Sequence, residues 1–269
     1  MNSSNVWFAM GLTILAGLST GIGGLVVLLL RKTSAKVVSI SLGFSAGVMI
    51  YISFVELLAD SRILLITELG EISGSLLTVV AFFGGLLFAG LIDKMVPSYE
   101  NPHEAHRMEE MVACPKPDHK TKLLRTGVLT AVIIAIHNFP EGMATFVSAI
   151  SEPSLGIAVA AAIAIHNIPE GISVAVPVFC ATGSRKKAFA WTIISGIGEP
   201  LGALMAYLIL MPILNDLVFG LIFAIVAGIM VYISFDELLP ASREYGEHHL
   251  ATYGLVAGMV VIAISLIFI

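Results

Sequence analysis

Charge is scarce in this chain. Only 12% of its 269 residues are Asp, Glu, Lys or Arg, against 57% hydrophobic, and the mean hydropathy is +0.96. A soluble domain carries about 25% charged residues, so a surface built for water is excluded. The 14 basic residues form no basic arm and the net charge is −5, which removes nucleic acid from the partners. Cysteine is nearly absent, and Cys114 and Cys180 are too few for a disulfide-built scaffold. Both fall on the inner side of the topology derived below, where reduced thiols are expected. No positively charged leader with a cleavage site precedes the first apolar stretch, so that stretch is expected to remain as a helix.

What the chain does have is long apolar runs. Eight of them, at about 5–30, 37–59, 73–96, 124–147, 154–180, 187–211, 216–240 and 250–269, each approach the ~20 residues that cross hydrocarbon. Breaks such as Glu152-Pro153, Thr182-Gly183 and Met211-Pro212 separate them. The chain therefore reads as an all-α polytopic membrane protein, a single transmembrane domain over 1–269 embedded in the lipid bilayer. With the N-terminus outside, 13 of the 14 basic residues lie on the inner side and only Arg62 outside, as the positive-inside rule requires. Both termini then face out. The one long inner connection, 97–123, is polar and carries Pro97, Pro102, Pro115 and Pro117. Its His103, His106, Cys114 and His119 read as incidental to a solvated linker rather than as a metal site, and so do His248 and His249.

Two internal repeats organise the spans. Ile134–Gly142 and Ile163–Gly171 share eight of nine positions, each ending in His-Asn-x-Pro-Glu-Gly. Ala46–Arg62 and Ala227–Arg243 share 12 of 17. In the topology above, the members of each pair run in opposite directions, which predicts a 3+2+3 arrangement with inverted symmetry. Inverted repeats are an architecture of secondary transporters, with substrate held near the midplane at the repeat interface.

The midplane is where the ionisable groups sit. His137, Glu141, His166, Glu170 and Glu199 fall at similar depth, and no Lys or Arg lies near the middle of any predicted span. An acidic group at a helix centre costs roughly 2.5–3.5 kcal/mol by insertion scales, so the missing positive charge has to be a proton or a bound cation. On a helix, His at i and Glu at i+4 share a face. His137, Glu141, His166 and Glu170 thus make an N2O2 set suited to tetrahedral zinc. Asn138 and Asn167, each three residues before a hexapeptide Glu, predict with Glu199 a second, oxygen-richer site bridged by the two glutamates. That site suits ferrous iron or manganese. Pro140 and Pro169 cannot donate to the carbonyls of Ile136 and Ile165, so kinks are expected beside the ligands, with a third at Pro200. Gly142 and Gly171 permit close helix approach.

These hexapeptides, Gly198-Glu199-Pro200-Leu201-Gly202 and the eight-span plan resemble the ZIP (Zrt/Irt-like) divalent-metal transporters, bacterial members above all, over essentially the whole chain. The resemblance implies import of Zn2+, with Fe2+, Mn2+, Co2+ and Cd2+ as further substrates, through a binuclear centre on spans 4, 5 and 6. It also implies homodimers in the cytoplasmic (inner) membrane, no organic cofactor, and movement of spans 1, 4, 5 and 6 against the rest. Many relatives carry His after the Pro that ends span 3; here Ser98 follows Pro97, which argues against an inner acceptor at that position.

The second repeat adds pathway candidates. Glu56 is expected near the outer end of span 2 and its mate Glu237 near the inner end of span 7, each three residues after a serine (Ser53, Ser234). Asp236 and Asp93 add charge on the inner side. Empty carboxylates repel one another and take up protons, so metal entering the site is expected to expel protons and make transport depend on pH. An intramembrane metallohydrolase would need a free general base, commonly within His-Glu-x-x-His, which is absent from the sequence. A metal-gated channel or sensor is the other alternative, set apart from a transporter by slow, saturable flux.

Overall fold

The computed structural model describes residues 3–29, 35–95, 120–213, 215–244 and 248–268, and among them helix is the only regular structure. In chain order the helices are α1 (Ser3–Leu29), α2 (Ala35–Ile52), α3 (Leu58–Leu69), α4 (Glu71–Met95), α5 (Lys120–Ser151), α6 (Pro153–Thr182), α7 (Arg185–Gly196), α8 (Gly198–Met205), α9 (Asp216–Ile233), α10 (Leu239–Glu244) and α11 (His248–Phe268). π-Helical turns join α2 to α3 at Ser53–Leu57 and α9 to α10 at Ser234–Leu238, and a third, Ala206–Leu210, extends α8. Eight stretches are long and apolar enough to cross a membrane. The chain is an all-α, multi-pass membrane protein.

Local chemistry sets the corners. Glu152 alone, in extended backbone, separates α5 from α6, and Pro153 opens α6 where its missing N–H costs nothing. Ser184 accepts from the Lys187 amide and Asn215 from that of Val218, capping α7 and α9. The spans then pack in two sets. In the first, α1 lies against α5, α6, α7 and α8, and α5 lies against α6 and α8. In the second, α2 pairs with α11, α4 and α3 with α9, and α10 with α2. Contacts of α2 with α6 and of α9 with α5 connect the sets. An apolar cluster including Met49, Ile52, Phe146, Ile163 and Met230 fills the seam.

Three expectations are corrected. The helix of span 2 does not stop at 59 but runs on through α3 to Leu69, where Gly70 (φ 82°) ends it. The triplet Asp60-Ser61-Arg62, read as a membrane edge, is accommodated because Ser61 Oγ donates to the Gly220 carbonyl at 2.6 Å and Arg62 Nε to Ser75 Oγ at 3.4 Å. Arg62 thus lies within the continuous helix, where it faces Ser75 and not the midplane carboxylates. Span 6 is broken at Ile197 rather than kinked at Pro200, because Pro200 has no N–H for the Gly196 carbonyl and the Ile197 amide turns back to Ile194. Cys180, expected as a thiol, is disulfide-bonded; Cys114, Ser98 and the histidines of 103–119 lie outside the described residues.

Candidate metal centre

Each hexapeptide sits inside a continuous helix, α5 or α6, that runs on through its proline. The i,i+4 spacing stacks His over Glu on both, and the two helices set these faces together. His166 Nε2 is 3.0 Å from Glu170 Oε1 and 3.9 Å from Glu141 Oε1, and His137 Nε2 is 3.7 Å from each of these oxygens. The imidazole centroids are 6.0 Å apart. Glu141 and His166 are buried, and the His137 side chain retains 12% exposure. Zinc holds such ligands at about 2.0–2.1 Å, so tetrahedral donors around it stand roughly 3.3 Å apart; the observed separations bracket that value. Among the described residues, ligand atoms of His137, His166 and Glu170 all lie within 4.8 Å of one another.

The oxygen-rich set is also gathered here. The Asn167 amide nitrogen donates to Glu199 and, at 3.0 Å, to the Ala16 carbonyl of α1. Asn167 Oδ1 and Glu199 Oε2 are buried and have no hydrogen-bond partner among the described residues. Asn138 lies between the Ser195 carbonyl and Glu170. Turned one way, its nitrogen donates to Ser195 O at 3.4 Å and its oxygen faces Glu170 Oε2. Turned the other way, it donates to Glu170 Oε2 and Ile134 O, each at 3.1 Å. The first orientation opposes two acceptors, which a cation between them satisfies; the second holds the carboxylate by hydrogen bonding.

The break in span 6 places Glu199 in the first turn of α8 against α5. Gly142 makes that approach possible: a Cβ there would run into the Glu199 carbonyl. Its counterpart Gly171 meets the Thr20 carbonyl of α1 in the same way. The same residue of the motif therefore seats a different neighbour in each copy.

The sequence pattern of the ZIP zinc transporters matches residues 93–266. The chain belongs to this family. Zinc transporter ZupT of Streptococcus mutans is 54% identical over 265 residues, covering 98% of each chain. The ZupT proteins of Lysinibacillus sphaericus (55% over 263 residues, 98% of each) and Nitratidesulfovibrio vulgaris (54% over 273 residues, 99% of each) are similar. The family is one of transporters, not enzymes, which sets aside the metallohydrolase alternative.

Outside the cluster, the pathway candidates occupy places that differ in part from the expected ones. Glu56 is partly buried within the π-turn Ser53–Leu57, in the middle of the α2–α3 rod rather than at its end. The aligned turn Ser234–Leu238 contains Asp236, which is exposed, and Glu237, whose side chain lies outside what is described. Ser53 and Ser234 make the same bond in both turns, to the carbonyls of Met49 (2.7 Å) and Met230 (2.8 Å). π-turns are frequent at functional sites. Sequence reasoning passed over Tyr232, whose hydroxyl donates to Asp93 Oδ2 at 3.4 Å and also engages Asp236. The signal was available, since the repeat aligns Tyr232 with Tyr51. His249 is exposed and stacks with Tyr253.

Proposed function

We propose that this chain is a secondary transporter that imports divalent transition-metal ions, zinc foremost and also ferrous iron, manganese, cobalt and cadmium, into the cytosol. The observation that carries this reading is the convergence of His137, Glu141, His166 and Glu170 in the middle of two membrane-crossing helices. Two imidazoles and two carboxylates at that spacing hold a cation better than they satisfy one another. Asn138, Asn167 and Glu199, joined through the bridging glutamates, make the second site of a binuclear centre. The unpartnered oxygens of Asn167 and Glu199 support it.

Transport then proceeds by alternating access. α1, α5, α6, α7 and α8 carry the ligands as one body, and α2–α4 with α9–α11 form the frame against which it moves. Glu56 lies on the outer approach, and Asp93, Asp236 and Glu237 on the inner exit. The protein works as a homodimer in the cytoplasmic (inner) membrane with both termini outside, in the inverted 3+2+3 plan.

The test is zinc and ferrous-iron flux into proteoliposomes, comparing the native protein with His137→Ala and Glu170→Ala. Loss of an inner ligand should lower kcat/KM by about a hundredfold or more, since even outer-shell partners of metal ligands cost 10–100-fold. Native flux in both folded variants would make the hexapeptides structural and move the pathway elsewhere.

A further inference from the structure

Beyond Glu141, the ligand face of α5 carries two hydroxyls, Thr145 at i+4 and Ser148 at i+7. Both side chains are fully buried, and neither Oγ has a hydrogen-bond partner among the described residues. Buried hydroxyls in the other helices commonly bond back to their own backbone. Thr13 does so to Ala9 (3.0 Å), Ser53 to Met49 (2.7 Å), Thr78 to Gly74 (2.9 Å) and Ser234 to Met230 (2.8 Å). Thr145 and Ser148 forgo that bond, although leaving a buried hydroxyl unsatisfied is costly. Stability does not explain them. Thr20 and Ser45 also lack partners, but they lie on α1 and α2, off the hexapeptide helices.

These two hydroxyls stand in the half of the structure that is closed. Every residue from Ala144 to Ile150 is buried, and this stretch joins Ile52, Val159 and Ile163 in one apolar cluster. Toward the other end of the hairpin, residues 172, 173, 176, 177 and 179–182 of α6 keep partial exposure. By the positive-inside rule the closed half is the outer one. Along the α5 axis Thr145 lies about 6 Å and Ser148 about 10 Å from Glu141, at ~1.5 Å per residue.

We infer that Thr145 and Ser148 are transient ligands for the incoming, partly hydrated divalent cation on the outer half of its path; this rests on the transporter reading above. When the apolar plug parts, each hydroxyl oxygen replaces a water on the ion and passes it one turn inward, to Glu141. A neutral hydroxyl suits this role because it holds a divalent ion weakly enough to release it.

Zinc uptake by proteoliposomes is compared for the native protein, Thr145→Val, Ser148→Ala, the double variant, Thr145→Ser and His137→Ala, with melting midpoint and equilibrium zinc binding measured in detergent. The double variant should lose about tenfold in kcat/KM, the order expected for two polar contacts. Its midpoint should match or exceed the native one, and its zinc binding should not change. Thr145→Ser, which restores the hydroxyl, should recover most of the loss seen with Thr145→Val. Native kcat/KM in the double variant overturns the inference, as does a loss of uptake accompanied by a lower midpoint and weaker zinc binding. Uptake retained by His137→Ala would instead overturn the transporter site itself, whatever the hydroxyl variants do.

Discussion

Glu199 is the residue on which the number of bound ions turns. It is buried, it is held by Asn167, and one of its oxygens has no partner among the described residues. In the binuclear reading, Glu199→Ala removes an oxygen ligand from the second site and leaves the His2Glu2 set intact. Metal analysis of purified protein should then fall from a pair of zinc ions per chain to a single one; an unchanged count would exclude Glu199 as a ligand. The sequence places no Lys or Arg near the middle of the hexapeptide spans, and this has its own consequence. If protons balance the carboxylates when the site is empty, adding zinc to the protein in weakly buffered detergent should acidify the solution, and uptake should vary between about pH 5.5 and 7.5. A solution whose pH does not move on saturation with zinc would dismiss the exchange.

The hexapeptide glycines act between helices, where they bring α5 onto α8 and α6 onto α1. Gly142→Ala would push a methyl group into the Glu199 carbonyl, and Gly171→Ala would push one into that of Thr20. Each should lower stability by about 1–3 kcal/mol, the usual cost of overpacking, read as a lower melting midpoint. Gly142→Ala should in addition disturb the second metal site, which Gly171→Ala leaves in place. The motif spacing and the eight apolar runs made these elements legible in the sequence, because i,i+4 ligands and membrane length are local properties. The three π-turns were not legible: one residue inserted into a helical ladder leaves no mark on composition. Nor was the run of span 2 past Asp60, since the partners that accept Ser61 and Arg62 come from α9 and α4. Glu56 shows the functional cost of that omission. It belongs to a turn in mid-rod, and Glu56→Ala is expected to raise the KM for zinc; an unchanged KM removes it from the path.

At the scale of the whole molecule, the sidedness assigned from basic residues can be tested on one hairpin. In a background with Cys114 and Cys180 replaced by Ser, Glu152→Cys between α5 and α6 should react with a membrane-impermeant thiol reagent from outside. Lys186→Cys, exposed at the start of α7, should react only from the cytosolic face. The opposite pattern would reverse the direction of import. The two helix sets predict motion of one past the other, but the rod formed by α2, its π-turn and α3 has a consequence of its own. Residues 35–69 form continuous helix, about 50 Å long at ~1.5 Å per residue, against about 30 Å of hydrocarbon. Even with a typical tilt of ~20°, much of α3, braced by α4 and α9, stands above the lipid as a stiff post. The tight corners at Gly70 and Glu152 give an antibody fragment little to grip. This post offers one, fixed to the frame and away from the ligand helices, so a binder raised against it could serve as a fiducial for imaging the protein while transport continues.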